Sequence, residues 1–357
     1  MHRNDKMRLG LITTASRRIS ELAVRYELAE NAAVMRKGNN HLVRATLKAP
    51  AKINLGLWVK SRGLHKYHAI RSLFWPVALY DDIELGRLKK KREKGKEVSV
   101  QFVGEEGAQI GQKNTLTSAF SGLRRAGRFD TLSFDLLSRC KVLVRKRIPI
   151  QTGLGGGSSD AGTLLRALGR THLRQRHLIH RVAETVGSDV PFFLNPVPSW
   201  VSGRGEKCEP LVWKEGCPKL YVTCVIPPFR LSTKRVFAAW DSLNASAERR
   251  GLVRLPCRPR IHNQEDFEAY LCNAQNALEP AACALEPKLK QIIDIMRRFP
   301  FVYCGMTGSG SGVVGVSFSH WPAELTQGLF GIIRRLGCRV ILVPTYDLLE
   351  EGELRFS

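Results

Sequence analysis

The sequence predicts a two-domain α+β protein, and three observations support this fold class. A glycine-rich loop at residues 153–157 joins a basic strand to an amphipathic helix. The pattern of strands and helices restarts near residues 216–218 (GCP). The chain of 357 residues, of which 43% are hydrophobic and 25% charged, is long and apolar enough to bury two cores. We therefore expect one domain over residues 43–215 and a second over residues 218–357.

Residues 1–42 differ from the rest of the chain. A helix-like piece at residues 17–33 is followed by a polar break at residues 37–40 (KGNN). Transit peptides are rich in arginine and poor in acids, whereas this segment carries several acidic residues. We interpret it as a poorly ordered extension, and translation from Met35 is the alternative.

Overall composition narrows the possible function classes. No stretch approaches the roughly 18 consecutive apolar residues that mark a membrane-spanning helix. The nine cysteines are scattered without a Cys-x-x-Cys pair, which favours reduced thiols in a cytoplasmic protein over a disulfide framework or a zinc site. The net charge of +24 fits either nucleic acid or a small polyanionic substrate as partner.

The positive charge is spread along the chain, whereas nucleic-acid binding usually shows as basic clusters within a recognisable module. The densest run, at residues 89–97, predicts a solvated hairpin tip, and a second basic region covers residues 166–181. We therefore do not expect nucleic acid as the partner, and an RNA-associated protein remains the alternative from a different class.

The first domain opens on an alternating segment at residues 41–59, which predicts one or two strands around Pro50. Lys52 and Asn54 are two residues apart, so on a strand their side chains share a face. Facing inward they need partners, whereas on an edge strand both would be in water, and both interpretations stay open. Further strands are expected at residues 69–77, 82–85, 98–103 and 141–148, and helices at residues 114–126 and 178–186.

Residues 149–159 (PIQTGLGGGSS) are the centre of the predicted site. Glycines let the backbone approach an anion closely, and the helix that follows offers unpaired N–H groups and the positive end of its dipole. This combination favours a phosphate-binding loop over a flexible loop before a well-capped helix. It is not a Walker A loop, because no Lys-Ser or Lys-Thr follows. It is not a dinucleotide fingerprint, because Ser158 occupies the third glycine position.

Two further stretches of the first domain carry candidate chemistry. Residues 61–68 (SRGLHKYH) include the polar-tipped rings of Tyr67 and His68, which can stack on and hydrogen-bond a base. Asp189 lies in a tight turn just before a predicted apolar strand at residues 190–194. It either caps the turn or acts as a buried base, and the spacing does not decide between these.

The second domain is predicted as an α+β layer of one-domain size. Its glycine loop at residues 305–312 (GMTGSGSG) is either another anion contact or a simple turn between strands. Strands are expected at residues 220–226, 301–304, 313–318 and 340–344, and helices at residues 234–243, 264–271, 288–299 and 323–336.

Three motifs together resemble the galactokinase–homoserine kinase–mevalonate kinase–phosphomevalonate kinase (GHMP) superfamily: residues 49–55 (APAKINL), 149–159 and 307–312 (TGSGSG). Tyr67-His68 and residues 188–193 (SDVPFF) are most similar to the superfamily's kinases of the non-mevalonate isoprenoid pathway. The resemblance covers about residues 43–345. It implies a ribosomal protein S5 domain 2-like N-terminal domain and a ferredoxin-like C-terminal domain.

The resemblance also implies the reaction, an ATP-dependent phosphorylation of the 2-hydroxyl of 4-diphosphocytidyl-2-C-methyl-D-erythritol. Mg²⁺ is expected to accompany ATP, and the partner is a small molecule that carries cytidine diphosphate. A kinase of the mevalonate or homoserine type is the related alternative, although its substrate has no base for Tyr67 and His68 to hold. A cytoplasmic monomer or homodimer is expected.

The resemblance assigns roles motif by motif. Asp189 is the catalytic carboxylate that accepts the hydroxyl proton, with Lys52 as its partner. The ATP phosphates are assigned to Pro149, Ile150, Gln151, Thr152, Gly153, Leu154, Gly155, Gly156, Gly157, Ser158 and Ser159. The substrate side is assigned to Asn54, Tyr67, His68, Thr307, Gly308 and Ser309. Phe229, which follows Pro227-Pro228, is a further candidate for a ring that stacks on cytosine.

Three departures from the family pattern stand out. His65-Lys66 replace Asp-Gly ahead of the Tyr-His pair, which puts the shape of the cytidine loop in question. Gln151-Thr152 replace small residues and could crowd the loop mouth. Residues 276–279 read Asn-Ala-Leu-Glu where Asn-Asp-Leu-Glu is usual, and no catalytic role is assigned to that segment.

Overall fold

The computed structural model describes residues 44–61, 67–87, 98–104, 107, 110–126, 140–171, 176–214, 216–344 and 355–356. The predicted extension, the predicted hairpin tip at residues 89–97 and the His65-Lys66 departure lie outside these residues.

The first half of the chain, residues 44–210, builds a mixed sheet around one long central strand, and a short strand at residues 355–356 joins it. Its strands are β1 (Arg44–Lys60), β2 (Ala69–Arg87), β3 (Ser99–Val103), β4 (Cys140–Arg145), β5 (Ser199–Gly203), β6 (Lys207–Pro210) and the short β11 (Arg355–Phe356). β2 pairs antiparallel with β1, with β4 near its end and with β5 near its start. β3 lies parallel to β4, β6 pairs with β5, and β11 pairs with β1.

β2 corrects one prediction, because the two strands expected at residues 69–77 and 82–85 are a single strand. Asp81, which lies between them, reads locally as a break. In the fold Asp81 is fully buried, and its carboxylate accepts the main-chain N–H groups of Arg147 and Ile148 at 2.6 and 2.9 Å. These tertiary partners compensate for the burial of a charged residue inside a strand.

Three helices of the first half pack together with this sheet: α1 (Thr115–Arg125), α2 (Gly156–Thr171) and α3 (Arg176–Val186). The predicted start of α1 is confirmed, since the Asn114 side chain caps it by accepting the Thr117 N–H. The strand expected at residues 190–194 is wrong, because Pro191–Leu194 form a 3₁₀ turn. Pro191 supplies no N–H for a ladder, and Phe192 packs edge-on against Phe74, with ring centroids 5.3 Å apart.

The second half builds an antiparallel sheet in the order β10-β7-β9-β8, from β7 (Tyr221–Ile226), β8 (Tyr303–Met306), β9 (Val313–Ser317) and β10 (Arg339–Pro344). Its helices are α4 (Thr233–Arg249), α5 (Gln264–Asn273), α6 (Glu279–Leu285), α7 (Pro287–Met296) and α8 (Ala323–Arg335). α4 extends beyond its predicted end at residue 243. α6 was not predicted, because its Ala-rich sequence shows little apolar periodicity.

The α+β fold class is confirmed, and the two sheets share one hydrophobic core. Ile53, Leu55 and Trp75 of the first sheet belong to the same buried cluster as Val222 and Val314 of the second. By its contacts the segment Arg44–Ser357 is one compact unit. The proposed domain boundaries at 215 and 218 therefore stay predictions. Within the described residues, no helix is both long and apolar enough to cross a bilayer.

Candidate active site

A cleft of about 1170 Å³ brings together the two glycine loops, β1, the turn before the 3₁₀ segment, and the first turns of α1, α2 and α4. Single-ligand pockets typically occupy about 300–1,000 Å³. The cleft therefore has room for two substrates at once.

The first glycine loop can adopt its path only because of its glycines. Gly153 and Gly155 have φ values of 80° and 76°, in the left-handed region. A Cβ on Gly153 would lie 2.0 Å from the main-chain oxygen of Thr307 in the second loop. Thr152 is 3% exposed and its Oγ1 donates to Pro149 O at 2.8 Å, so it braces the loop rather than crowding its mouth. The loop leads into α2, whose first N–H groups have no partner within the helix.

Lys52 and Asp189 form the charged centre of the cleft. Lys52 Nζ lies 3.4 Å from Asp189 Oδ2 and donates to Asn54 Oδ1 at 2.6 Å. The Lys52 side chain is 3% exposed and that of Asp189 is 30% exposed. A ligand can therefore reach the carboxylate, while the ammonium is held by the protein. Of the two interpretations left open by the sequence, the inward-facing one is correct, because Lys52 and Asn54 are both buried and partnered.

The second glycine loop is fastened to the first half of the chain. The Asn54 N–H donates to Thr307 Oγ1 at 3.0 Å, and the Gly312 N–H donates to Thr152 O at 3.1 Å. Gly308 and Ser309 also line the cleft, and a Cβ on Gly308 would lie 3.2 Å from Gly153 Cα of the first loop. The loop is therefore more than a turn between β8 and β9, because it forms one wall of the cleft.

The Asn-Ala-Leu-Glu segment holds the second loop in place. The Asn276 side-chain amide donates to the main-chain oxygens of Met306 and Gly308 at 2.7 and 2.8 Å. Glu279 Oε2 accepts the Met306 N–H at 3.0 Å, while its other oxygen accepts from Arg297 at 2.6 Å. Sequence reasoning assigned this segment no catalytic role, and the structure gives Asn276 and Glu279 a role in positioning the loop.

Lys146 joins two carboxylates beside the first glycine loop. Its Nζ donates to Asp160 Oδ2 at 2.7 Å and to Asp81 Oδ2, and the three side chains are at most 2% exposed. Burial raises the pKa of Asp160 to about 7; Lys146 opposes this shift and the Asp81 carboxylate adds to it. Because Lys146 follows β4 and Asp160 lies in α2, the cluster ties the two flanks of the loop together.

One end of the cleft is aromatic. Tyr67 is 50% exposed and its ring lies 5.1 Å from the guanidinium of Arg204. His68 packs against Phe237 of α4 with ring centroids 4.7 Å apart, and both residues line the cleft. His68 Nε2 lies 2.7 Å from Asp241 Oδ1. Sequence reasoning missed Phe237 and Asp241, whose only signal was their helical spacing from each other.

The other end of the cleft is apolar and was also missed. Phe102, Ile110 and Leu116 line it beside the start of α1. Thr115 Oγ1 lies 3.2 Å from where a Cβ on Gly157 would stand, so α1 and α2 begin side by side. The helix start at Asn114 was the available signal, because Asn favours the N-cap position and this helix precedes the glycine loop in the chain.

Most of the predicted site residues lie together on this cleft. Its lining includes Lys52, Asn54, Tyr67, His68, Pro149, Ile150, Gln151, Thr152, Gly153, Gly155, Gly156, Gly157, Ser158, Asp189, Gly308 and Ser309.

Four predicted residues point elsewhere. Leu154 is buried in the core that the two sheets share, and Ser159 Oγ donates to Pro50 O at 2.6 Å. Thr307 is fully buried and acts through its bond to the main chain of Asn54. Phe229 packs against the core of the second half, and its main-chain oxygen accepts from Ser311 Oγ at 2.7 Å. The aromatic ring that α4 presents to the cleft is Phe237 instead.

Comparison with known sequences identifies relatives across most of the chain. Residues 114–195 match the family described as the GHMP kinases N terminal domain. The 4-diphosphocytidyl-2-C-methyl-D-erythritol kinase of Anaeromyxobacter sp. (strain Fw109-5) is 34% identical over 274 residues, which cover 76% of this chain and 82% of that relative. The enzyme of the same name from Thermosipho africanus (strain TCF52B) is 32% identical over 281 residues, covering 76% of this chain and 90% of the relative.

Solved structures agree with these relatives. The crystal structure of a 4-(cytidine 5′-diphospho)-2C-methyl-D-erythritol kinase superposes with a TM-score of 0.56 at 26% identity, over 85% of this chain and all of the other. The mevalonate kinase of L. major in complex with R-mevalonate also reaches a TM-score of 0.56, at 13% identity over 85% of this chain and 96% of its own, which shows the shared fold alone. The predicted resemblance is confirmed, and this chain belongs to the 4-diphosphocytidyl-2-C-methyl-D-erythritol kinase family.

Proposed function

We propose that this chain transfers the γ-phosphoryl group of ATP to the 2-hydroxyl of 4-diphosphocytidyl-2-C-methyl-D-erythritol. The observation that carries the proposal is the Lys52–Asp189 pair, which lies in one cleft with a glycine loop and an aromatic end. A kinase of this kind needs a phosphate-binding loop, a proton acceptor and a pocket for each substrate in a single cavity.

The partly exposed carboxylate of Asp189 is the proton acceptor in this proposal. As the hydroxyl oxygen bonds to the γ-phosphorus, its proton passes to Asp189, and the bond from the γ-phosphorus to the bridging oxygen of ADP breaks. The Lys52 ammonium, 3.4 Å from that carboxylate, offsets negative charge on the transferring group.

The glycine loops hold the phosphates. The free N–H groups at the start of α2 and the positive end of its dipole favour a polyanion on the first loop. Gly308 and Ser309 of the second loop line the same space from the other side. Gly153 of the first loop approaches Thr307 of the second closely. This contact supports a single phosphate-binding site formed by both loops.

The two substrates bind at different ends of the cleft in this proposal. We assign the adenine of ATP to the apolar end at Phe102, Ile110 and Leu116, which lies beside the start of α2. We assign the cytidine to the aromatic end at Tyr67 and His68, and we replace Phe229 with Phe237 as the stacking ring.

Mg²⁺ accompanies ATP in this proposal. Within the described residues no three His, Cys, Asp or Glu side chains are grouped to hold a metal ion. Mg²⁺ commonly keeps several waters and binds substrate phosphates plus about one or two carboxylates. The residues present fit an ion carried mainly by the nucleotide, with Asp189 as a carboxylate on the cleft wall. When bound, the ion neutralises phosphate charge. A cytoplasmic location and a monomer or homodimer stay predictions.

The test is a turnover assay with Mg-ATP and three acceptors: the cytidylated methylerythritol, mevalonate and homoserine. We expect one ADP and one new phosphomonoester per turnover with the cytidylated substrate alone, followed by coupled ADP detection and phosphorus NMR. Asp189→Asn is the matched control for contaminating kinases. Efficient phosphorylation of mevalonate or homoserine, or none of the cytidylated substrate, would contradict the proposal.

A further inference from the structure

Both ends of the connection between β1 and β2 contact acidic side chains on one face of α4. At its start, the Ser61 N–H donates to Glu248 Oε1 at 2.7 Å. At its end, His68 Nε2 lies 2.7 Å from Asp241 Oδ1. Asp241 and Glu248 are about two helical turns apart, so they lie on the same face of α4. Both anchors are acids, and both reach from the second half of the chain to the first.

The His68 ring is held on three sides by this face of α4. Phe237 packs on it with centroids 4.7 Å apart, and Trp240 meets it at 5.8 Å with an interplanar angle of 87°. On the third side, Asp241 Oδ1 contacts Nε2 of the ring. Positions 237, 240 and 241 are spaced i, i+3 and i+4, which places all three side chains on one helix face. The His68 side chain is only 8% exposed, so its orientation is fixed.

Asp241 also determines which ring nitrogen carries a proton. An ionised carboxylate can only accept hydrogen bonds, so the proton between the two residues belongs to Nε2 of His68. In the neutral ring the other nitrogen, Nδ1, is then an acceptor. A cytosine offers the N4 amino group as a donor at its base-pairing edge, whereas uracil has the acceptor O4 in that place. Of these two bases, cytosine alone suits the acceptor.

We propose that Asp241 is a positioning residue that holds His68 as the Nε2–H form and so makes this end of the cleft select cytosine over uracil. Asp241 acts through His68 and does not itself touch the substrate. The inference rests on the proposed function for the identity of the base, and it adds a residue that sets specificity for that base.

The experiment compares Asp241→Ala with Asp294→Ala. Asp294 is a matched control, because it is also a helical aspartate that contacts a basic side chain, with 43% of its side chain exposed against 34% for Asp241. We expect Asp241→Ala to raise the KM for the cytidylated substrate about tenfold and to leave the KM for ATP unchanged. Its preference for the cytidine over the uridine form of the substrate should shrink. Asp241→Asn, which keeps an acceptor oxygen, should restore most of the affinity.

Binding of cytidine and uridine 5′-diphosphate, measured by calorimetry, separates this inference from the proposed function. If the wild type prefers the cytidine nucleotide but phosphorylates no cytidylated substrate, the proposed function fails and the inference stands. Nitrogen-15 spectra of the histidine ring should show the proton of His68 on Nε2. The inference is overturned by a proton on Nδ1, by equal binding of both nucleotides to the wild type, or by equal changes in both KM values in Asp241→Ala.

Discussion

Two buried lysines lie beside the first glycine loop, and we propose different roles for them: catalysis for Lys52 and support of the fold for Lys146. Lys52 and Lys146 are both almost fully enclosed and both contact aspartates. The partner of Lys52, Asp189, is 30% exposed on the cleft, whereas the two partners of Lys146 are at most 2% exposed. A substrate can therefore reach the carboxylate beside Lys52 but not the two beside Lys146, and the proposed roles depend on this difference in exposure.

Replacing the reachable carboxylate should have the largest effect. We expect Asp189→Asn to lower kcat by about 1,000-fold, because the amide cannot accept the hydroxyl proton. Because Lys52 keeps its bond to Asn54, we expect the free energy of unfolding to fall by only about 1 kcal/mol. Single-turnover kinetics and denaturant unfolding measure the two quantities. A kcat within tenfold of the wild type would show that the two lysine sites do not differ as we describe.

Breaking the enclosed cluster should act on stability instead. Lys146→Met leaves Asp81 and Asp160 buried without their cation, so we expect the free energy of unfolding to drop by about 3–5 kcal/mol. The kcat of the folded fraction should fall far less than in Asp189→Asn. Urea unfolding and active-site titration check this. An unchanged unfolding midpoint together with a large loss of kcat would reverse the assignment of the two sites.

The enclosed cluster should also make stability depend on pH. The pKa of Asp160 is raised from 3.8 to about 7 in the fold, so between these values the folded chain holds a proton that the unfolded chain has lost. The contribution of this group to stability is therefore lost as pH rises from about 4 to about 7. Asp160→Asn should remove this part of the pH dependence of the free energy of unfolding, which urea unfolding at a series of pH values measures. The same slope in both proteins would contradict it.

We expect the smallest effect on stability from an exposed ion pair. Lys290 and Asp294 are 67% and 43% exposed and contact each other at 2.6 Å one turn apart on α7. Asp294→Asn should leave the free energy of unfolding almost unchanged, since solvent screens the pair. The measurement is the same urea curve, and a loss near that of Lys146→Met would mean that burial is not what distinguishes these sites.

Residues within short motifs could be predicted, because each motif carries its own geometry. The glycine loop was recognisable from its spacing, whereas Lys52, Asn54 and Asp189 gained their expected roles only from the family motifs. The structure places all of them on one cleft. The β-strand at residues 69–87 was divided in the prediction because Asp81 reads as a break locally. Its partner Lys146 lies 65 residues away, and no local pattern reports that pairing.

The aromatic end shows the same limit. Phe229 was chosen because it follows a pair of prolines, which marks a turn but not the direction of a side chain. Phe237 and Asp241 reach His68 only because α4 packs beside the connection from β1 to β2. The role of Asn276 likewise depends on its approach to a loop 30 residues further along the chain. Such residues become visible only when long-range packing is known.

The bond from Asn54 to Thr307 joins positions 253 residues apart in the sequence. Closing a chain segment of that length is entropically costly, and contacts of large sequence separation slow folding. The proposed phosphate site, which includes the second glycine loop, therefore cannot be assembled while the ribosome is still making the first half. Phosphoryl transfer becomes possible only after β8 and the second glycine loop have been synthesised and have docked onto β1.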